Sequence, residues 1–172
     1  SYDIFKHDFE TLKKLLIKNI NLESQEIFEE RIITIDVYYN IEVGLDLEYM
    51  SLKTKLSIDE IIKIHSDKLY DVYAVGFLPG FAYLASVDER IALPRLSSPR
   101  KQIPKGSVAI ADTQTAVYPQ ASPGGWNIVG RTAMKLFDKN LETLSPFNVG
   151  DKVKFNPISK EEFLLQGGII WV

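Results

Sequence analysis

Two rhythms divide the chain at Phe77. Before it, apolar residues recur every three or four positions or gather in β-branched runs; after it, Gly and Pro interrupt every few residues. Phe9, Leu12, Leu15, Leu16 and Ile20 follow Asp8 at helical spacing, which predicts a helix over 8–20 capped by Asp8. The run RIITIDVYY (31–39) is β-branched and aromatic and predicts a strand. A helix is predicted over 45–56. A second starts at Ser57, where Ser57 and Glu60 have capping-box spacing and Ile58, Ile61, Ile62 and His65 share one side. YDVYAVGF (70–77) predicts a buried strand. Short strands are then expected over 106–112, 115–119, 126–132 and 151–158, a spacing that indicates a sandwich or closed barrel. Ser159 and Glu162 predict a terminal helix stopped at Gly167, and GIIWV (168–172) a last strand.

Composition narrows the function classes. The chain has 172 residues, 45% hydrophobic and 25% charged, with a formal charge of −3. A nucleic-acid binder would ordinarily carry a strongly basic face, so no nucleic-acid partner is expected. There is no cysteine, which excludes thiol nucleophiles and thiolate metal sites and accords with a reducing cytoplasm, the expected location. The two histidines, His7 and His65, lack metal-ligand spacing, and no metal site is expected. No apolar run approaches the ~20 residues that span a bilayer, and the first residues show no charged-then-apolar signal segment.

The chemistry concentrates in three segments: GFLPGFAYL (76–84), LPRLSSPRKQIPKGSVAIAD (93–112) and QTAVYPQASPGGWNIVGRT (114–132). Prolines fix φ there, and glycines permit close approaches that a Cβ would block. Arg95, Arg100 and Arg131 offer planar forks for a carboxylate or phosphate. Gln114, Tyr118, Ser122 and Asn127 add neutral donors and acceptors, with Trp126 and Tyr83 as walls. Lys101 and Lys105 lie among them. Such a set suits a small anionic, amide-like ligand. The substrate-binding candidates are therefore Arg95, Arg100, Gln114, Tyr118, Ser122, Trp126 and Arg131. PGGW precedes a strand pattern and opens no helix, so it is no dinucleotide fingerprint, and KGS (105–107) lacks the upstream glycine of a Walker sequence. A triad of Ser107 or Ser122 with His65 and Asp112 has no support in spacing, and His65 on an apolar helix face reads as a core histidine.

IHSDKLYDVYAVGFLPGFAYL and LPRLSSPRKQIPKGSVAIADTQTAVYPQASPGGWNIVGRT together resemble the signature of the PxpB/KipI family, whose sequence also occurs within urea-carboxylase carboxyltransferase domains. The resemblance runs from Ile33 to the C-terminus. It implies a mainly β, α+β fold: a cyclophilin-like barrel over 31–172, preceded by a partial small α/β domain of which 1–30 would be the remnant. It also implies a role as the B subunit of an ATP-dependent 5-oxoprolinase, inactive alone, working with PxpA-like and PxpC/KipA-like subunits. ATP would bind at the level of the complex. Two other roles stay open under the same resemblance: a KipI-like inhibitor of a sensor histidine kinase, and a component of a biotin-dependent urea or amide carboxylase. Two positions depart from the family pattern. Lys105 stands where a small residue is usual, and Ala116 where a glycine is usual, which would strain a left-handed backbone if one is required.

Overall fold

The computed structural model describes residues 8–20, 31–140 and 144–170. Helix α1 (Phe9–Ile20) forms where the spacing predicts it, and the Asp8 carboxylate accepts a hydrogen bond from the Thr11 N–H at 2.7 Å. The rest of the segment 1–30 lies outside the described residues. Strand β1 (Ile32–Tyr38) follows, then α2 (Leu47–Thr54) and α3 (Ile58–Ser66). Lys55, at φ 62°, ends α2, and the Ser57–Glu60 capping box is present at the start of α3.

The remaining strands are β2 (Leu69–Val75), β3 (Ala82–Ala85), β4 (Arg100–Ile103), β5 (Ser107–Ala111), β6 (Gln114–Val117), β7 (Ser122–Gly124), β8 (Asn127–Arg131) and β9 (Lys152–Ile158). Seven of these nine described strands close a barrel in the order β1-β8-β5-β6-β3-β2-β9, while β4 and β7 pair only with each other as a two-stranded ribbon. The fold is thus the expected α+β barrel. Closure depends on β9, which runs parallel to β1 from Ile32↔Lys152 to Tyr38↔Ile158 and antiparallel to β2. Arg31 fastens that seam: its guanidinium bonds the Asp151 carboxylate, with Nε at 3.0 Å, and holds the Asp151 pKa low.

Side-chain alternation on the strands makes two main cores, and Tyr38, Val43 and Phe163 form a smaller third cluster. From β5, Val108 and Ile110 point into the barrel with Ile35, Tyr70, Leu84, Val153 and Phe155, where α2 and α3 add Leu47, Met50 and Ile61. Ala109 and Ala111 point outward and join Ala116, Ile128, Ile103, Phe81, Tyr118 and Trp126. Small alanines on that outer face leave room for the aromatic rings and the ribbon. All five residues of β5 are consequently buried.

Three expectations are corrected. The segment 168–170 forms no strand: Gly168 donates its N–H to the Phe163 carbonyl after the short helix α4 (Lys160–Leu165), folding the chain back over Phe163, and 171–172 lie outside the described residues. Any Cβ at position 168 would lie 2.5 Å from the Phe163 ring. Strands β3, β4 and β7 were not expected. The left-handed residue of the β5–β6 hairpin is Asp112 (φ 52°), so Ala116, within β6 and buried, meets no such demand.

Candidate functional site

The outer core opens to solvent as a cleft of about 320 Å³. One wall is the barrel side, with Phe81, Tyr83, Tyr118 and Trp126; the other is the ribbon and its approach, with Pro99, Pro123, Gly124 and Gly125; Phe77, Arg95 and Leu96 complete it. Phe81 is the hub. Its ring meets Phe77, Tyr83, Tyr118 and Trp126 edge-on at centroid distances of 5.4, 4.9, 5.5 and 5.8 Å.

Arg95 is exposed and lies over the Trp126 ring, 5.6 Å from its centroid. No hydrogen bond or ion pair engages it among the described residues, so its fork is available to an anion. The Tyr118 hydroxyl accepts a backbone bond from Trp126; burial, partly offset by Arg95, pushes its pKa up to about 12, so it keeps its proton at any physiological pH. Gly124 roofs it. A Cβ there would come within 2.4 Å of the Tyr118 oxygen and 2.7 Å of Ile103 Cδ1. Gly124→Ala is therefore expected to lower stability by about 1–3 kcal/mol through overpacking, read by chemical denaturation.

Of the seven candidates, the structure brings Arg95, Tyr118 and Trp126 into this cleft. Arg100 leaves it to bond Asp46, at 2.7 Å. Arg131 belongs to a second, smaller cavity of about 150 Å³ with Lys105 and residues 167–169, where its guanidinium donates to the Lys105 and Ile169 carbonyls at 2.9 and 2.7 Å and burial lowers its pKa. Lys105 thus lies apart from the aromatic cleft. Gln114 begins β6 opposite Ala85, and Ser122 is buried at the start of β7. The three arginines do not converge. Phe77, Phe81 and Asp46 escaped the sequence reading; aromatic density in GFLPGFAYL is a signal for the first two, whereas Asp46 has none.

No triad assembles. His65 is fully buried, stacked on Phe155 at 4.6 Å, with Nδ1 2.8 Å from the Tyr39 hydroxyl and Nε2 2.9 Å from Thr115 Oγ1. Thr115 already donates its proton to the Ala109 carbonyl, so it must accept from Nε2–H, and Nδ1 must accept from Tyr39. That order fixes the tautomer and leaves the imidazole no lone pair for a serine. Ser107 Oγ is buried with no hydrogen-bond partner among the described residues, and Asp112 is exposed at the hairpin. Among the described residues no cluster of three metal-ligating side chains occurs, and no helix is long and apolar enough to cross a membrane.

The family model described as "Carboxyltransferase domain, subdomain C and D" matches residues 1–147. The chain is 41% identical over 171 residues to the 5-oxoprolinase B subunit of Bacillus subtilis, covering 94% of this chain and 71% of that protein. It is 42% identical over 128 residues to the 5-oxoprolinase B subunit of Haemophilus influenzae, covering 74% of this chain but only 60% of that protein. Among solved structures, the conserved uncharacterized protein PH0987 from Pyrococcus horikoshii superposes with a TM-score of 0.75 at 46% identity, covering 94% of this chain and 74% of that one. The Kluyveromyces lactis urea carboxylase shares the fold, with a TM-score of 0.69 at 19% identity, covering 95% of this chain and 17% of that one.

Proposed function

The chain belongs to the carboxyltransferase domain, subdomain C and D, family, and on that footing we propose that it acts as the B subunit of a 5-oxoprolinase, opening 5-oxoproline to glutamate together with other subunits. The observation that carries this reading is the free Arg95 guanidinium at the mouth of an aromatic cleft that also holds a protonated tyrosine. 5-Oxoproline has one carboxylate, which Arg95 can take as a fork, and one lactam carbonyl, to which the Tyr118 hydroxyl can donate. Trp126, Tyr83 and Phe77 would flank the five-membered ring and exclude water around it, strengthening both polar contacts.

Hydrolysis adds water across the lactam C–N bond, the hydroxyl going to the carbonyl carbon and the proton to nitrogen. A donor on the carbonyl oxygen favours the charge that grows there. Among the described residues that line the cleft, the only side-chain hydroxyls are those of Tyr83 and Tyr118, and no carboxylate, histidine or lysine is there to act as a general base. Arg95 is the one cation among the described residues that line the cleft, and the sequence has no Walker turn, which favours placing ATP elsewhere in the complex. In this reading ATP binds at the level of the assembly, whose remaining subunits would be of the PxpA and PxpC/KipA kinds, in the cytoplasm.

The test is reconstitution. Purified alone, the chain should release no glutamate from 5-oxoproline; combined with PxpA- and PxpC-like subunits encoded beside it, it should do so only when ATP is supplied. Steady release by the chain alone would refute its dependence on partners. An assembled complex that leaves 5-oxoproline untouched would remove the reading, and inhibition of a sensor histidine kinase by the same preparation would replace it.

A further inference from the structure

Asp46 stands at the N-cap position of α2, yet its side chain makes no capping bond. It is spent across the fold instead. Oδ2 accepts the Ile128 N–H at 2.6 Å, and the Asp46 N–H returns a bond to the Ile128 carbonyl at 2.9 Å. Oδ1 accepts Arg100 Nη2 at 2.7 Å. One buried carboxylate thereby grips β8 just after Trp126 and β4 at its first residue.

Those two points carry the opposite walls of the cleft. Trp126 immediately precedes β8. Arg100 follows Pro99 and sits directly across from Gly124 in the ribbon, and both neighbours line the cleft. The ribbon has no strand partner in the barrel, so its seat depends on side chains. A buried ion pair is weak evidence for stability, because desolvation offsets much of the attraction. Its worth here is geometric.

We propose that Asp46 and Arg100 are a positioning pair that sets the width of the cleft, holding Gly124 and Pro99 at a fixed distance from Trp126 and Tyr118 without touching the ligand. Identifying that ligand as 5-oxoproline rests on the function proposed above; the brace itself does not. The Arg100 contact uses a single nitrogen, so lysine can supply it, whereas alanine cannot.

The experiment compares Arg100→Ala, Arg100→Lys and Asp46→Asn in a Trp171→Phe background, which leaves Trp126 as the sole tryptophan. Acrylamide quenching of Trp126 is measured on the chain, and KM and kcat for 5-oxoproline on the complex reconstituted with its partner subunits. Arg100→Ala and Asp46→Asn are expected to increase quenching and to raise KM about ten- to a hundredfold with kcat held within about twofold, since they loosen binding geometry and remove no reacting group. Arg100→Lys should restore both. Unchanged quenching and KM in folded variants, or losses that follow melting temperature alone and are not rescued by lysine, would overturn the proposal. If Asp46→Asn does not fold, the two Arg100 variants decide the matter. If the unaltered complex fails to turn over 5-oxoproline, the proposed function falls, and the quenching series still decides the brace.

Discussion

Replacing His65 by alanine is expected to lower the free energy of unfolding by about 3–5 kcal/mol, the combined cost of a ring-sized cavity and of polar partners left unsatisfied. The ring is the centre of the barrel's polar thread, with Tyr39 and Thr115 on its two nitrogens and the Tyr70 hydroxyl on its own carbonyl. A second measurement isolates the imidazole. Burial depresses its pKa from 6.5 to about 3, so between those values the unfolded chain binds a proton that the folded chain refuses. Its contribution is therefore complete above pH 6.5 and declines as the pH falls, by up to about 1.4 kcal/mol per pH unit. Carboxylates with lowered pKa add their own losses, Glu42, Glu60 and Glu162 as the pH approaches their ordinary 4.5, then Asp151 beside Arg31, Asp88 beside Arg90 and Asp138 beside Lys135 as it approaches 3.8. The window from pH 6.5 down to about 5.5 thus belongs to His65. Urea denaturation across it should show a slope that His65→Gln removes; an unaltered slope would mean that the proton is taken up elsewhere.

Arg95→Ala should weaken 5-oxoproline binding or turnover by the reconstituted complex by about 1.5–3 kcal/mol, or ten- to more than a hundredfold, the usual worth of a charge-assisted hydrogen bond. Stability should change by less than about 1 kcal/mol, because the side chain is exposed and its contact with Trp126 is a cation–π stack at the protein surface. Kinetics of the complex and a melting curve of the same sample separate the outcomes. A sharp fall in melting temperature with full activity in the folded fraction would make Arg95 a structural residue. Equal losses from Arg131→Ala would also contradict the geometry, since Arg131 serves a different cavity.

Local chemistry was legible in the sequence and long-range chemistry was not. The capping boxes at Ser57 and Ser159 join residues three apart, so their pattern is complete within one turn. The β-branched runs of β1 and β9 declare themselves in the same way. Strands β4 and β7 have four and three residues, one interrupted by proline, and exist only because they meet each other. GIIWV has strand composition, but its described residues, 168–170, turn back over Phe163 instead. Arginines at 95, 100 and 131 look alike in sequence; what separates them is their partners. Asp46 bonds residues 54 and 82 positions away, a relation that no local pattern encodes. Trp126 and Tyr83 were visible as walls because aromatic rings among prolines and glycines mark a rigid concave surface. Phe81 lies in the same segment as Tyr83, but its place as the hub depends on rings 4 to 45 positions away and so is set by the fold.

The seating of β9 between β1 and β2 also governs the order in which the barrel can be made. Its partners are synthesised early, and Asp151, beside it, bonds Arg31 across 120 positions. During translation every other barrel strand leaves the ribosome while β1 and β2 still lack the neighbour they share. Two hydrogen-bonding edges stay open over that interval, which is when a nascent chain is most prone to pair with another copy. Closure then pairs β9 with β1, 120 positions away in sequence, a long-range contact of the kind that slows folding. Shielding those two edges until β9 arrives is therefore expected to favour folding over association between copies.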